Sequence, residues 1–87
     1  MTDVVLYTTG WCPYCIRARR LLDGKGVAYT NIDVGENPAL RAEMRARAGR
    51  NTVPQIWIGD THVGGSDELY ALERAGRLDA MLKGQEQ

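Results

Sequence analysis

Metal ligands and surplus charge are both scarce in this chain. It holds two cysteines and one histidine, His62, whereas a structural zinc site asks for about four ligands. No metal is expected unless two copies of the chain share one. Eleven Lys and Arg balance eleven Asp and Glu, which removes any general electrostatic case for nucleic acid or a membrane surface as partner. No apolar stretch approaches the roughly 20 residues of a membrane span. Asp3 sits where a signal peptide would be basic, and a strand-like run begins almost at once, so no leader is expected. Repeats, linkers and low-complexity segments are missing too. What remains is a hydrophobic share of 44% over 87 residues. That composition predicts one domain, residues 1–87, large enough to fold without staples. It is expected to work as a monomer in the cytoplasm.

The scarcity of cysteine makes its placement informative. Both cysteines fall in Thr9-Gly10-Trp11-Cys12-Pro13-Tyr14-Cys15, between a short apolar run and the start of a helical pattern. In a chain that opens βαβ, C-x-x-C reads as a thiol–disulfide redox motif. Residues i and i+3 share a helix face, so the two sulfurs can meet with little backbone movement. Pro13 suits the first helical position, where its missing N–H costs nothing. Cys12 then takes the cap position, facing unpaired N–H groups and the positive end of the helix dipole, where a thiolate is favoured. Cys15, one turn in, is expected to be more buried and less acidic. A purely structural disulfide competes with this reading, but cytosolic proteins rarely keep one, and so short a loop adds little stability.

The flanking pattern predicts a small mixed sheet with helices on both faces, in the order βαβαββα. Val4 to Tyr7 is an apolar run rich in β-formers. Cys15, Ala18, Leu21 and Leu22 mark the buried stripe of a first helix ending at Gly24 or Gly26, with Arg17, Arg19 and Arg20 on its wet side. Val27 to Val34 reads as a second strand, parallel to the first through a right-handed crossover. Asn37-Pro38 caps a second helix with Leu40, Met44 and Ala48 inward, ending near Gly49; Arg41, Arg45, Arg47 and Arg50 form its outer face. Gln55 to Ile58 and Thr61 to Val63 are strands joined at Gly59-Asp60. Ser66 is the expected cap of a third helix with Leu69 and Leu72 inward. Gly76 interrupts it, Leu78, Met81 and Leu82 add a last apolar turn, and residues 84–87 are expected to fray.

Three later features can serve a ligand near Cys12, and each also has an ordinary reading. Thr52-Val53-Pro54 places a proline at a strand start, where proline is tolerated anyway. A cis Val53–Pro54 bond would leave the Val53 N–H and C=O free to pair with an extended peptide. Gly64-Gly65-Ser66-Asp67 offers N–H groups to a carboxylate and Asp67 to an ammonium, or is a simple cap with dipole-matching acids. His62 is assigned no role, and Trp57 and Tyr29 read as packing residues.

Together these features resemble the dithiol glutaredoxins, particularly the small bacterial ones, along nearly the whole chain. The resemblance rests on Cys12-Pro13-Tyr14-Cys15, Thr52-Val53-Pro54 and Gly64-Gly65-Ser66-Asp67, at spacings the family shares. It implies an α/β thioredoxin fold with sheet order β2-β1-β3-β4, a cis bond before Pro54, and glutathione as co-substrate with no tightly bound cofactor. It further implies that Cys12 is the nucleophile and Cys15 the resolving thiol. Tyr14 flanks the tripeptide, Thr52 and Val53 pair with its cysteinyl backbone beside Pro54, and Gly65, Ser66 and Asp67 hold its γ-glutamyl end. Arg41 lies where members often carry a residue near the glycyl carboxylate. Clients would be glutathionylated or disulfide-containing proteins, ribonucleotide reductase among the candidates. The chain departs from the pattern at Thr9, commonly lysine, at Trp11, commonly small, and at Ser66, often cysteine. Two alternatives stay open: a redoxin fed by thioredoxin reductase, towards which Thr9 and Trp11 lean, and a glutathione-assisted iron–sulfur carrier, which the rigid Pro13 disfavours.

Overall fold

The computed structural model describes residues 2–84. Eight elements follow in order: β1 (Val4–Thr8), α1 (Pro13–Gly24), β2 (Thr30–Asp33), α2 (Pro38–Ala48), β3 (Gln55–Ile58), β4 (Thr61–Gly64), α3 (Ser66–Arg74) and α4 (Leu78–Leu82). The strands form one sheet in the order β2-β1-β3-β4. β1 and β2 run parallel, while β3 is antiparallel to both β1 and β4. Because Tyr7 pairs with Gln55 and Ile56 with Gly64, three chain segments meet at one end of the sheet. They are the loop leaving β1, the segment entering β3, and the turn from β4 into α3.

Each sheet face has its own core. Leu6, Ile56 and Ile58 point to one side, where Ala18 and Leu22 of α1, Leu69 of α3 and Leu78 and Leu82 of α4 close over them. On the other side Tyr7, Trp57 and Val34 pack against Met44 of α2. Local signals set the helices. Asn37 accepts the Leu40 N–H at 3.1 Å as cap of α2. Gly49 ends that helix with φ of 70°, a left-handed backbone that favours glycine.

Two boundaries differ from expectation, and one expected break forms. β2 is shorter than the predicted span of residues 27–34, because α1 is still being closed there: Gly26 has φ of 69° and the Val27 N–H is spent on Leu22 O at 3.1 Å. The expected interruption at Gly76 parts α3 from α4, with the Arg77 N–H turning back to Leu72 O. The cap of α3 is Gly65, not Ser66, which is the first helical residue. The expected fraying falls mostly on residues 85–87, outside the described residues.

Candidate active site

The Cys12–Cys15 turn forms as the sequence predicts. Cys12 has extended backbone (φ −95°, ψ 115°) and caps α1, with Pro13 opening the helix. Its sulfur accepts the Cys15 N–H at 3.3 Å, an otherwise unpaired donor at the helix start. The Cys12 thiol in turn donates to Val53 O at 3.7 Å. Both thiols are unbridged. Cys15 lies on the buried stripe of α1 at 1% exposure. Burial pushes its thiol up to about 12, a hydrogen bond with the Thr9 backbone works the other way, and the Cys12 sulfur raises it further. The two sulfurs thus occupy opposite environments, one at the surface and one sealed beneath it.

Beside Cys12 lies a cavity of about 200 Å³ lined by Tyr14, Arg50, Thr52, Val53, Pro54, Gly65, Ser66, Asp67 and Glu68. The Val53–Pro54 bond is cis. Among the described residues the Val53 N–H has no hydrogen-bond partner. Gly65 comes so close to Pro54 that an added Cβ would lie 3.4 Å from its carbonyl oxygen. Glu68 folds back across the helix start and accepts the Gly65 N–H at 2.7 Å. That bond, and the Arg50 guanidinium at 3.2 Å, hold its carboxyl below the usual range. Gly64 makes room for this, since with φ of 114° it is a glycine position and an added Cβ would meet Glu68 Oε1 at 2.5 Å. Ser66 Oγ is buried with no hydrogen-bond partner among the described residues.

Seven of the ten expected site residues therefore line one cavity, with Cys12 at its edge and Cys15 below. Arg41 does not line it. Its guanidinium binds Asn51, Nε to Oδ1 at 3.0 Å and Nη2 to the carbonyl at 2.6 Å, next to Thr52. It faces a separate cavity of about 680 Å³ with Thr9, Gly10, Trp11, Asp33, Gly35, Glu36 and Asn37. Trp11, beside Cys12, is 95% exposed.

Residues that the pattern left aside also reach the site. Arg50 and Glu68 flank the cavity, and the arginine gave only the signal of a solvated helix end. Gln55, fully buried, donates through Nε2 to Thr52 O at 2.9 Å and to Thr52 Oγ1 at 3.2 Å. His62, assigned no role from the sequence, is half-buried. It stacks on Trp57 with ring centroids 4.6 Å apart and lies 2.7 Å from Gln55 Oε1. Burial, and then the Arg50 charge, hold it below the ordinary imidazole value. No group of three or more His, Cys, Asp or Glu among the described residues is placed to hold a metal ion, and no helix there is long and apolar enough to cross a membrane.

The family model described as Glutaredoxin matches residues 4–63. The chain belongs to the glutaredoxin family. A glutaredoxin of Pseudomonas aeruginosa is 63% identical over 82 residues, covering 94% of this chain and 98% of that one. Glutaredoxin 3 of Escherichia coli is 51% identical over 83 residues, covering 95% of this chain and all of its own length. Among solved structures, a buckwheat glutaredoxin–glutathione complex superposes with a TM-score of 0.88 at 31% identity, over 97% of this chain and 79% of that one. The fold is the thioredoxin fold of these glutaredoxins, and the chain is a thiol–disulfide oxidoreductase with Cys12 and Cys15 as its redox pair.

Proposed function

We propose that the chain is a glutathione-dependent reductase of protein–glutathione mixed disulfides and of protein disulfides, acting as one domain and as a monomer in the reducing cytoplasm. One observation carries this reading: the Cys12 sulfur sits at a helix cap 3.7 Å from Val53 O, at the edge of a cavity whose walls offer peptide-pairing groups on one side and a helix N-terminus on the other. In this reading Thr52 and Val53 take the cysteinyl backbone of the tripeptide beside Pro54. Ser66, through its N–H at the start of α3, takes the α-carboxylate beside Gly65, whose own N–H is held by Glu68; Asp67 takes the ammonium and Tyr14 the flank. Arg41 acts on the ligand only through Asn51, by fixing the loop that leads into Thr52. The buckwheat glutaredoxin crystallised with glutathione supports the choice of ligand.

The chemistry follows from the two sulfur environments. The Cys12 thiolate attacks the glutathionyl sulfur of a protein–glutathione disulfide. The protein sulfur leaves as thiolate, and a Cys12–glutathione disulfide forms. A glutathione thiolate then attacks the glutathionyl sulfur of that disulfide, releasing glutathione disulfide and the Cys12 thiolate. The Cys15 N–H remains on the Cys12 sulfur as negative charge returns to it, a charge-assisted bond. Cys15 can displace the leaving group instead when a protein is bonded to Cys12, giving the Cys12–Cys15 disulfide that two glutathiones reduce. A thiol held near 12 attacks slowly, because only its thiolate is nucleophilic.

A coupled assay on a glutathionylated substrate tests the reading, with glutathione plus its reductase compared against thioredoxin reductase as electron source. Turnover with the first supports it; equal or better turnover with the second overturns it. Cys12→Ser should abolish both activities, and Cys15→Ser should keep deglutathionylation while losing dithiol reduction. Asp67→Ala should raise KM for glutathione.

A further inference from the structure

The Thr52 carbonyl and hydroxyl, on the wall of the ligand cavity, are held from beneath by a side chain that never reaches the cavity. Gln55 is 0% exposed, at the start of β3. Its amide group has a forced orientation. The Thr52 carbonyl oxygen 2.9 Å away can only accept, so the NH₂ end faces Thr52, with Thr52 Oγ1 a second partner of the same nitrogen at 3.2 Å. The oxygen end then faces His62, 2.7 Å from Nε2. An amide oxygen only accepts, so His62 must carry its proton on Nε2. The imidazole is itself oriented by stacking on Trp57, at an interplanar angle of 28°. A buried amide satisfied at both ends is rigid, and leaving one end unpaired is costly.

We infer that His62, on the edge strand β4, is a positioning residue for glutathione: through Gln55 it fixes Thr52 in the place from which Thr52 pairs with the tripeptide. The inference rests on the proposed use of glutathione and extends the site to a residue that touches no ligand. Losing the Nε2–H donor frees the Gln55 amide to swing, and Thr52 with it. Ground-state binding of the tripeptide then suffers, while the sulfur chemistry at Cys12 is untouched.

Steady-state kinetics in glutathione on His62→Phe, which keeps a ring on Trp57 but has no donor, test this together with His62→Gln, which restores an N–H. His62→Phe is expected to raise KM for glutathione about three- to tenfold, the factor that one net hydrogen bond commands, with kcat unchanged. His62→Gln should return KM to within about twofold of the parent. In the Gln55→Leu background, His62→Phe should add nothing further. An unchanged KM in His62→Phe, or a loss shared equally by kcat and shared by His62→Gln, overturns the inference while leaving glutathione dependence standing. A parent enzyme indifferent to glutathione sinks the proposed function instead, and the inference with it. ¹⁵N spectra of the imidazole supply a readout free of turnover: the proton on Nε2 supports the relay, and a proton on Nδ1 alone overturns it.

Discussion

The two faces of the sheet are built on different principles. Over the α1, α3 and α4 face, Leu6, Ile56, Ile58, Ala18, Leu22, Leu69, Leu78 and Leu82 make an aliphatic core, and Cys15 sits on the same buried stripe of α1. Over the α2 face, the core is Tyr7, Trp57, Val34 and Met44, with polar ends that reach outward. Tyr7 OH donates to Glu43 at 3.1 Å and accepts from Arg47 at 2.7 Å, the Arg47 guanidinium lies 4.5 Å from the Trp57 ring centroid, and His62 stacks against Trp57. One face is aliphatic and makes a thiol less acidic by burying it. The other is polar at its rim and carries hydrogen bonds that end at Thr52, on the wall of the cavity beside Cys12. The two cysteines differ because Cys12 caps α1 at its exposed end while Cys15, one turn in, lies on the stripe that faces the aliphatic core.

The largest effect that can break this comparison is at Cys15. A thiol held near 12 carries on the order of a thousandfold less thiolate at pH 8 than an ordinary one near 8.5. In the folded protein, alkylation mapped by peptide mass should find Cys12 and spare Cys15. The slow Cys15 rate should climb about tenfold per pH unit from 7 to 10. A plateau near pH 9 would show that the α1 face is not dry at this sulfur.

Next in size is Leu22→Ala, which empties part of the aliphatic core and should cost about 2–5 kcal/mol in urea unfolding. Arg47→Ala, on the other face, should cost about 0.5–1 kcal/mol, the scale of an exposed cation over an aromatic ring. Similar losses for the two would erase the distinction between the faces.

The aliphatic face was legible in the sequence, and the polar-rimmed face was only partly so. Val4 to Tyr7, the α1 stripe and the caps at Cys12 and Asn37 are local patterns, and each formed where the residues pointed. The cavity walls came from motif spacing. Arg47 was read as solvated because a helical pattern says which face is polar, not which aromatic ring a neighbouring strand brings beneath it. Arg17 is exposed as expected, and what the pattern did not announce is the Tyr70 ring beneath it, whose hydroxyl donates to the Arg17 carbonyl and ties α3 to α1. Gln55 and His62 are seven residues apart across a hairpin whose register shifts between Ile56 and Trp57, a shift that no strand alternation announces. Ser66 lost the cap because Glu68, reaching back to the Gly65 N–H, satisfies the helix start from three residues further on.

The smallest effect concerns acid. His62 is held below its ordinary value of 6.5 by burial and by the nearby Arg50 and Arg47 charges, against the opposing pull of Glu68. A base whose folded value is lowered binds fewer protons folded than unfolded just below 6.5, so stability falls there as pH drops. Glu68 also loses its contribution in acid, but only as pH falls below its ordinary value of 4.5 towards a lower folded one. Between pH 6.5 and about 5 the two groups therefore separate, and the chain has no second histidine. Urea midpoints at pH 7.5 and 5.5 should drop in the parent protein and drop less in His62→Phe, where the titrating ring is gone and the stacking on Trp57 is kept. An equal drop in both would place the acid sensitivity elsewhere and leave the His62 ring as well hydrated in the fold as in the unfolded chain.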